Sequence, residues 1–348
     1  MNNSRIQRII ENMQAEGLSQ ILITAPASIF YLTDKWIAPG ERMLALYLNE
    51  NGETRLYANR LFCLKGNMDA DVVEFDDIED PIAMLSESVR PGRLGIDKFW
   101  PSQFTIRLME ARGDVRPVLG SAPVDAARMH KDEEELRRMY ESSQLNVKAC
   151  QKAIDSMYEG MTELELEAIY GKSALEVGGA ANAFAPITCF GANCAEPHHD
   201  NDGTKLKKGD SVILDVGLMW KDYCSDMTRT AFFGEPSDEQ KRVYDLVYAA
   251  NRAGIAAAKP GVRMCDIDRA ARKVIEDAGY GKYFTHRLGH GIGLEVHEFP
   301  DCSSTNEMLA EPGMVFSIEP GVYLPGRFGV RYEDLIAITE DGCKVLTE

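Results

Sequence analysis

Residues 211–233 read SVILDVGLMWKDYCSDMTRTAFF. Two strand-like runs flank a polar turn, and each carries one aspartate. Asp215 interrupts Val212, Ile213, Leu214 and Val216, where a carboxylate is costly to bury unless it is paired or coordinates a cation. A hairpin turning about Trp220 and Lys221 sets Asp215 opposite Asp226. Like charges directly opposite one another destabilise a sheet, so a positive charge is expected between them.

The same geometry recurs downstream. Glu319 follows Phe316, Ser317 and Ile318, and Glu333 follows Arg331 and Tyr332. The turn between them contains Pro325, Gly326 and Gly329, and a hairpin centred on Gly326 faces Glu319 with Glu333. Of the six histidines, five (His198, His199, His286, His290 and His297) fall within 100 residues, close in sequence to these acids. That clustering favours a functional site over scattered imidazoles.

Four carboxylates and one imidazole form a hard ligand set suited to Mn²⁺, Co²⁺, Fe²⁺ or Zn²⁺. Four negative charges exceed what one divalent ion neutralises. Two ions about 3.5–4 Å apart, bridged by carboxylates, satisfy the charge and activate water, which is hydrolytic machinery. His290 is the candidate imidazole because it lies in Gly289-His290-Gly291-Ile292-Gly293, where glycines let the backbone approach a crowded centre. This run lacks the spacing of a dinucleotide-binding loop. His286 and His297 are left to bond substrate and the tetrahedral intermediate.

Around this core the chain of 348 residues suits two domains. The first, residues 1–122, opens with an amphipathic helix bearing Ile6, Ile9, Ile10 and Met13, with Gly17 to end it. Strands are expected at Ile21–Thr24, Leu44–Leu48, Thr54–Ala58, Val72–Phe75 and Leu94–Ile96, then a helix at Ser102–Ala111. The pattern lapses between Pro117 and Met129, which reads as an interdomain connection. The second domain, residues 123–348, holds a helix beginning at Asp132 and capping boxes at Thr162/Glu165 and Ser237/Gln240. A further helix is expected at Asp266–Ala278, with strands at Ser211–Val216, Thr228–Phe233, Val315–Ile318 and Asp334–Thr339. The fold class is α+β, with helices grouped against a mainly antiparallel sheet.

A hydrophobic content of 45% and a charged content of 27% are those of a soluble globular protein. A formal net charge of -17 repels a phosphate backbone, so nucleic acid is not expected as a partner. Arg5, Arg8, Glu11 and Glu16 break any apolar leader, and the longest uncharged stretch, between Glu176 and Glu196, contains Asn182, Pro186, Gly191 and Asn193. Neither export nor membrane insertion is expected. Eight cysteines without a CxxC pair suit reduced thiols in a cytoplasm, and Cys189 and Cys194 read as buried thiols.

Seven motifs together resemble the pita-bread metallopeptidases, the group of methionine aminopeptidase, aminopeptidase P and prolidase. They are Pro197-His198-His199, Leu214-Asp215-Val216-Gly217, Ser225 to Thr230, His286 to Gly293, Val296-His297-Glu298, Ile318-Glu319-Pro320-Gly321 and Gly329 to Asp334. The resemblance covers the whole chain and includes a creatinase-like N-terminal domain, which methionine aminopeptidase does not share. It implies a pita-bread catalytic domain in which Asp215 chelates one metal, Asp226 and Glu333 bridge two, and His290 and Glu319 hold the second. His198, His286 and His297 match substrate and transition-state histidines, Arg331 matches an organiser of the site, and Tyr323 matches a position of the proline-specific branch. Two positions depart from the pattern: His199 stands where an aromatic such as tyrosine is common, and Phe299 where proline is common.

The resemblance further implies a homodimer and hydrolysis of the bond between an N-terminal residue and proline, with Glu319 relaying a proton to the proline nitrogen. The alternatives are aminopeptidase P, acting on longer peptides, and metal-free relatives such as creatinase-like amidinohydrolases and histone-chaperone modules. All five ligand positions are retained here, which argues against the metal-free forms.

Overall fold

The computed structural model describes residues 1–348, which form two compact units, Met1–Arg128 and Met129–Glu348. In the first, helix α1 (Asn3–Ala15) buries Ile6, Ile9, Ile10 and Met13 and gives way at Gly17, whose φ of 63° is a left-handed conformation that glycine adopts freely. Strand β1 (Gln20–Ile23) is followed by α2 (Pro26–Thr33), β2 (Ala45–Asn49), β3 (Thr54–Asn59) and β4 (Val72–Phe75). Then come α3 (Pro81–Ser88), β5 (Gly92–Ile96), α4 (Ser102–Ala111), β6 (Val115–Leu119) and α5 (Ala122–Met129). The strands form one mixed sheet in the order β4-β3-β2-β1-β5-β6.

The stretch Pro117–Met129, expected to be a connection, is instead the end of β6 and the helix α5. The physical reason lies in where its prolines fall. Pro117 sits on β6, the edge strand, which tolerates a missing N–H, and Pro123 lies in the first turn of α5, where the N–H has no helical partner anyway. The expected boundary at 122/123 thus falls at the start of α5, and the first unit runs on to Arg128.

The second unit begins with two helices, α6 (Glu133–Asp155) and α7 (Glu163–Glu176), both entered through complete capping boxes, at Asp132/Glu135 and Thr162/Glu165. Strands β7 (Ala181–Asn182), β8 (Ile187–Phe190), β9 (Ser211–Val216), β10 (Leu218–Trp220), β11 (Tyr223–Cys224) and β12 (Met227–Phe232) follow. Next are α8 (Asp238–Ala257), capped by Ser237 and Gln240, and α9 (Met264–Asp277). The chain finishes with β13 (Gly289–Gly291), β14 (Glu298–Cys302), β15 (Val315–Ile318), β16 (Gly321–Leu324), β17 (Phe328–Arg331), β18 (Asp334–Ile338) and β19 (Cys343–Val345). Every strand pair of this unit is antiparallel.

Two helix pairs cover two sheets. Val212, Leu214 and Val216 of β9 and Met227 of β12 pack in one core with Ala149 of α6 and with Leu166 and Tyr170 of α7. Phe316 and Ile318 of β15 and Ile336 of β18 pack with Val243 and Val247 of α8 and with Ile267 and Ala271 of α9. Side chains alternate across a strand. Asp215, Thr228, Ser317 and Arg331 therefore point away from the helices, to the face where the candidate site lies. No helix is long and apolar enough to cross a membrane.

Candidate metal centre and active site

The β9–β12 hairpin closes on a two-residue turn, Lys221 and Asp222, both with positive φ (47° and 73°). Such a turn follows the right-handed twist of its strands. Trp220 pairs with Tyr223, and Asp215 pairs with Thr228 rather than with Asp226. The expected facing of Asp215 and Asp226 is thus corrected by two residues, because the turn lies one position later than Trp220-Lys221. Asp226 keeps the face it was given, diagonal to Asp215. In the second hairpin the expected register holds on both sides of the acids: Ile318 pairs with Asp334, and Gly321 with Arg331. Glu319 and Glu333 lie between these two ladders.

Asp215, Asp226, His290, Glu319, Arg331 and Glu333 line one cavity of about 240 Å³, together with His198, His286, His297, Arg287, Phe184 and Ile187. Tyr323 lies behind this wall. Its hydroxyl accepts from Arg331 Nη1 at 3.0 Å and donates to His286 Nε2 at 2.9 Å. The other nitrogen of His286, Nδ1, donates to the carbonyl oxygen of Arg287 at 2.7 Å. Burial first, then the nearby Arg331 charge, lowers the pKa of His286 to about 4, so the ring is neutral and its tautomer is fixed.

The acids themselves are buried: Asp226 is 4% exposed and Glu333 1%. Burial, and next the Glu333 charge, pushes Asp226 well above the usual carboxylate range. Burial, and next the Glu319 charge, does the same to Glu333. Glu319 is raised by burial, against the opposing pull of Arg331, to about 7. Arg331 Nη2 donates to Asp215 Oδ2 at 2.7 Å, and Arg331 Nε donates to Thr228 Oγ1 at 3.0 Å. That hydroxyl donates in turn to Glu333 Oε2 at 2.8 Å.

His290 donates from Nδ1 to the carbonyl of Gly291 at 3.1 Å, which leaves Nε2 with a lone pair. Burial and the neighbouring His297 lower its pKa to about 3, so it is not protonated near neutrality. Yet Nε2 lies 3.6 Å from Asp226 Oδ2 and 3.5 Å from Glu319 Oε1. A lone pair facing carboxylate oxygens needs a proton or a metal ion between them. The proton alone is insufficient, because Asp226 Oδ1 and Glu333 Oε1 are also buried without any hydrogen-bond partner. The donor set fits divalent cations, and ligand atoms of Asp226, His290 and Glu333 lie within 4.8 Å of one another.

The approach of strands here depends on glycine. A Cβ on Gly289 would lie 1.8 Å from the Ser317 carbonyl oxygen, and one on Gly291 would lie 2.4 Å from that of Phe299. A second cluster, Glu163, His199 and Asp202, also brings ligand atoms within 4.8 Å. It differs in kind, because every lone pair of Glu163 already receives an N–H, as described below. Sequence reasoning missed Thr228, Ser317 and Glu163. Thr228 and Ser317 each lie two residues from a candidate ligand, Asp226 and Glu319, on the same strand face, a spacing that marks them as supports.

A model for metallopeptidase family M24 matches residues 137–340, and one for the creatinase/prolidase N-terminal domain matches residues 5–130. The chain belongs to metallopeptidase family M24. An uncharacterized peptidase of Staphylococcus aureus (strain USA300) is 34% identical over 359 residues, covering 99% of each chain. A prolidase from Thermococcus sibiricus superposes with a TM-score of 0.95 at 32% identity, over 100% of this chain and 97% of that one. A dipeptidase from Pyrococcus horikoshii OT3 gives 0.94 at 34% identity, over 99% and 98%. The creatinase-like first domain and the M24 catalytic domain expected from the motifs are thus both present.

Proposed function

We propose that this chain hydrolyses the bond between an N-terminal residue and proline in dipeptides, as a cytoplasmic homodimer using two divalent metal ions, manganese first among them. The observation that carries the reading is a buried, proton-poor imidazole set against carboxylates whose oxygens lack partners, on the wall of a cavity of about 240 Å³. That volume is below the ~300–1,000 Å³ typical of sites for drug-sized ligands and suits a dipeptide. The similarity to a prolidase supports proline in the substrate.

In this reading Asp215, Asp226, His290, Glu319 and Glu333 would hold the two ions. When bound, the ions would supply Lewis acidity at the scissile carbonyl and a nucleophilic water. Glu319 would move a proton from the attacking water to the leaving proline nitrogen. His198, His286 and His297 bond the substrate carbonyl and the developing oxyanion. Arg331 fixes Asp215 and Thr228, and Tyr323 holds Arg331 and His286 in register.

Chelator-stripped protein refilled with Mn²⁺, Co²⁺ or Zn²⁺ should cleave Xaa-Pro dipeptides and leave Xaa-Pro-Xaa tripeptides intact. Turnover of tripeptides would reassign the chain to an aminopeptidase P activity. Inactivity on both would reject a proline-directed peptidase.

A further inference from the structure

The loop between β8 and β9 carries His198 to the cavity, yet its main anchors lie outside the metal site. Glu163, the first residue of α7, is fully buried, and its carboxylate receives four N–H groups. Oε1 accepts from the Phe190 backbone at 2.8 Å and from Asn193 Nδ2 at 3.0 Å. Oε2 accepts from His199 Nε2 at 3.0 Å and from the Asp202 backbone at 3.0 Å. One side chain thus ties down residues 190, 193, 199 and 202. His199, with its side chain 10% exposed, also directs Nδ1 at Glu196 Oε2, 3.3 Å away.

Carboxylate oxygens only accept, so both imidazole nitrogens must carry protons for both bonds to exist. The charged groups facing His199 are Glu163 from α7 and Glu196 and Asp202 from its own loop, and all are acidic. Burial opposes the charge on the ring, but these partners overcome it and raise the pKa above the ordinary 6.5. Just before His198, the Pro197 carbonyl oxygen accepts from Arg331 Nη1 at 3.2 Å. The substrate-facing histidine is therefore gripped on both sides. Arg331 holds Pro197, and the Glu163–His199 pair holds the residue that follows.

We infer that His199 and Glu163 are positioning residues, an imidazolium–carboxylate clamp that fixes His198 in the cavity wall. The inference rests on the peptidase reading only in taking His198 as a substrate contact. The clamp acts through placement, and a misplacement of about 1 Å costs on the order of 10²-fold in rate. A merely structural histidine would instead lower stability and leave the kinetics of folded enzyme unchanged.

The test is a double-mutant cycle on the metal-loaded protein. His199→Leu should lower kcat/KM for an Xaa-Pro dipeptide roughly 10²-fold with bound metal unchanged. His199→Gln, which restores an N–H toward Glu163, should recover most of that loss and covers the case in which the leucine variant fails to fold. In a His198→Ala background the same substitutions should change kcat/KM by less than about 2-fold. An equal loss in both backgrounds would overturn the clamp.

An independent reading comes from ring titration of ¹⁵N-histidine-labelled, zinc-loaded protein. His199 should titrate above 6.5 with both nitrogens protonated below its midpoint, and a midpoint at or below 6.5 would overturn the inference. If the wild type cleaves no Xaa-Pro peptide, the functional reading fails while this titration still decides the clamp.

Discussion

Glu319→Gln should make the metal-free protein more stable and the metal-loaded protein less so. Burial, against the pull of Arg331, raises the Glu319 carboxyl from 4.5 to about 7. At 1.36 kcal/mol per unit, that shift sets roughly 3 kcal/mol against the charged form. For an acid whose folded pKa is raised, stability is intact below the unfolded value and is lost as pH climbs toward the folded one. At pH 8 in chelator the wild type therefore lacks the full ~3 kcal/mol, and at pH 4.5 it lacks little. Glutamine keeps the shape and can still accept the Ser317 Oγ bond of 3.1 Å, but it carries no charge.

For a unit the size of Met129–Glu348, a gain of ~3 kcal/mol is worth about 6–12 °C in Tm. Metal reverses the order. An ion at 1,000 times its Kd stabilises the wild type by ~4.1 kcal/mol, more than the ~3 kcal/mol that glutamine gains, whereas the variant lacks one of the proposed ligands. Circular-dichroism melts at pH 4.5 and pH 8, in EDTA and in Mn²⁺, check all four corners. The reasoning is refuted if the variant melts below the wild type at pH 8 in EDTA, or if both proteins gain equally from Mn²⁺.

Asp226→Ala and Glu333→Ala should each abolish turnover, a loss of at least ~10³-fold, because each removes a carboxylate with a partnerless buried oxygen; full activity in metal-limited buffer would sink the two-metal reading. Metal affinity should fall as pH drops below about 7, since burial raises Asp226, Glu333 and Glu319 and protons then compete for the same oxygens. Calorimetry in buffers of differing ionisation enthalpy reads the released protons, and a flat affinity from pH 5 to 8 would contradict it. Gly289→Ala sets a Cβ 1.8 Å from the Ser317 carbonyl oxygen and should destabilise by about 1–3 kcal/mol or more while lowering metal stoichiometry. Wild-type melting and metal content would show that the strand approach is not needed.

Most of the fold was legible where local signals are strong. The capping boxes at Thr162/Glu165 and Ser237/Gln240 mark the starts of α7 and α8, and the apolar face of α1 is read directly from its spacing. The elements around Pro117 and Pro123 were not legible, because proline signals a break in general while an edge strand and a first helical turn both accept it. The Glu163 clamp was hidden for a different reason. Its partners at 190, 193, 199 and 202 meet it only after the chain folds back, and nothing in an acid at a helix start separates this one from the ordinary dipole-favoured glutamates beside it.

The two aspartates share one face despite the register error because of parity. Moving the turn from Trp220-Lys221 to Lys221-Asp222 shifts the partner of Asp215 by two residues, from Asp226 to Thr228. A shift of two leaves every side chain on its original face, whereas a shift of one would have turned Asp226 into the helix-packed core. What the corrected register adds is Thr228 opposite Asp215, where its hydroxyl takes the Arg331 Nε hydrogen and passes its own to Glu333. That leaves Glu333 Oε1 and Asp226 Oδ1 with no proton donor in reach, while every oxygen of the equally buried Glu163 carboxylate is supplied. The two acid–histidine clusters of this chain are separated by that contrast: one is closed by N–H groups, and the other keeps buried carboxylate oxygens without a donor, the feature that supports the proposed cation site.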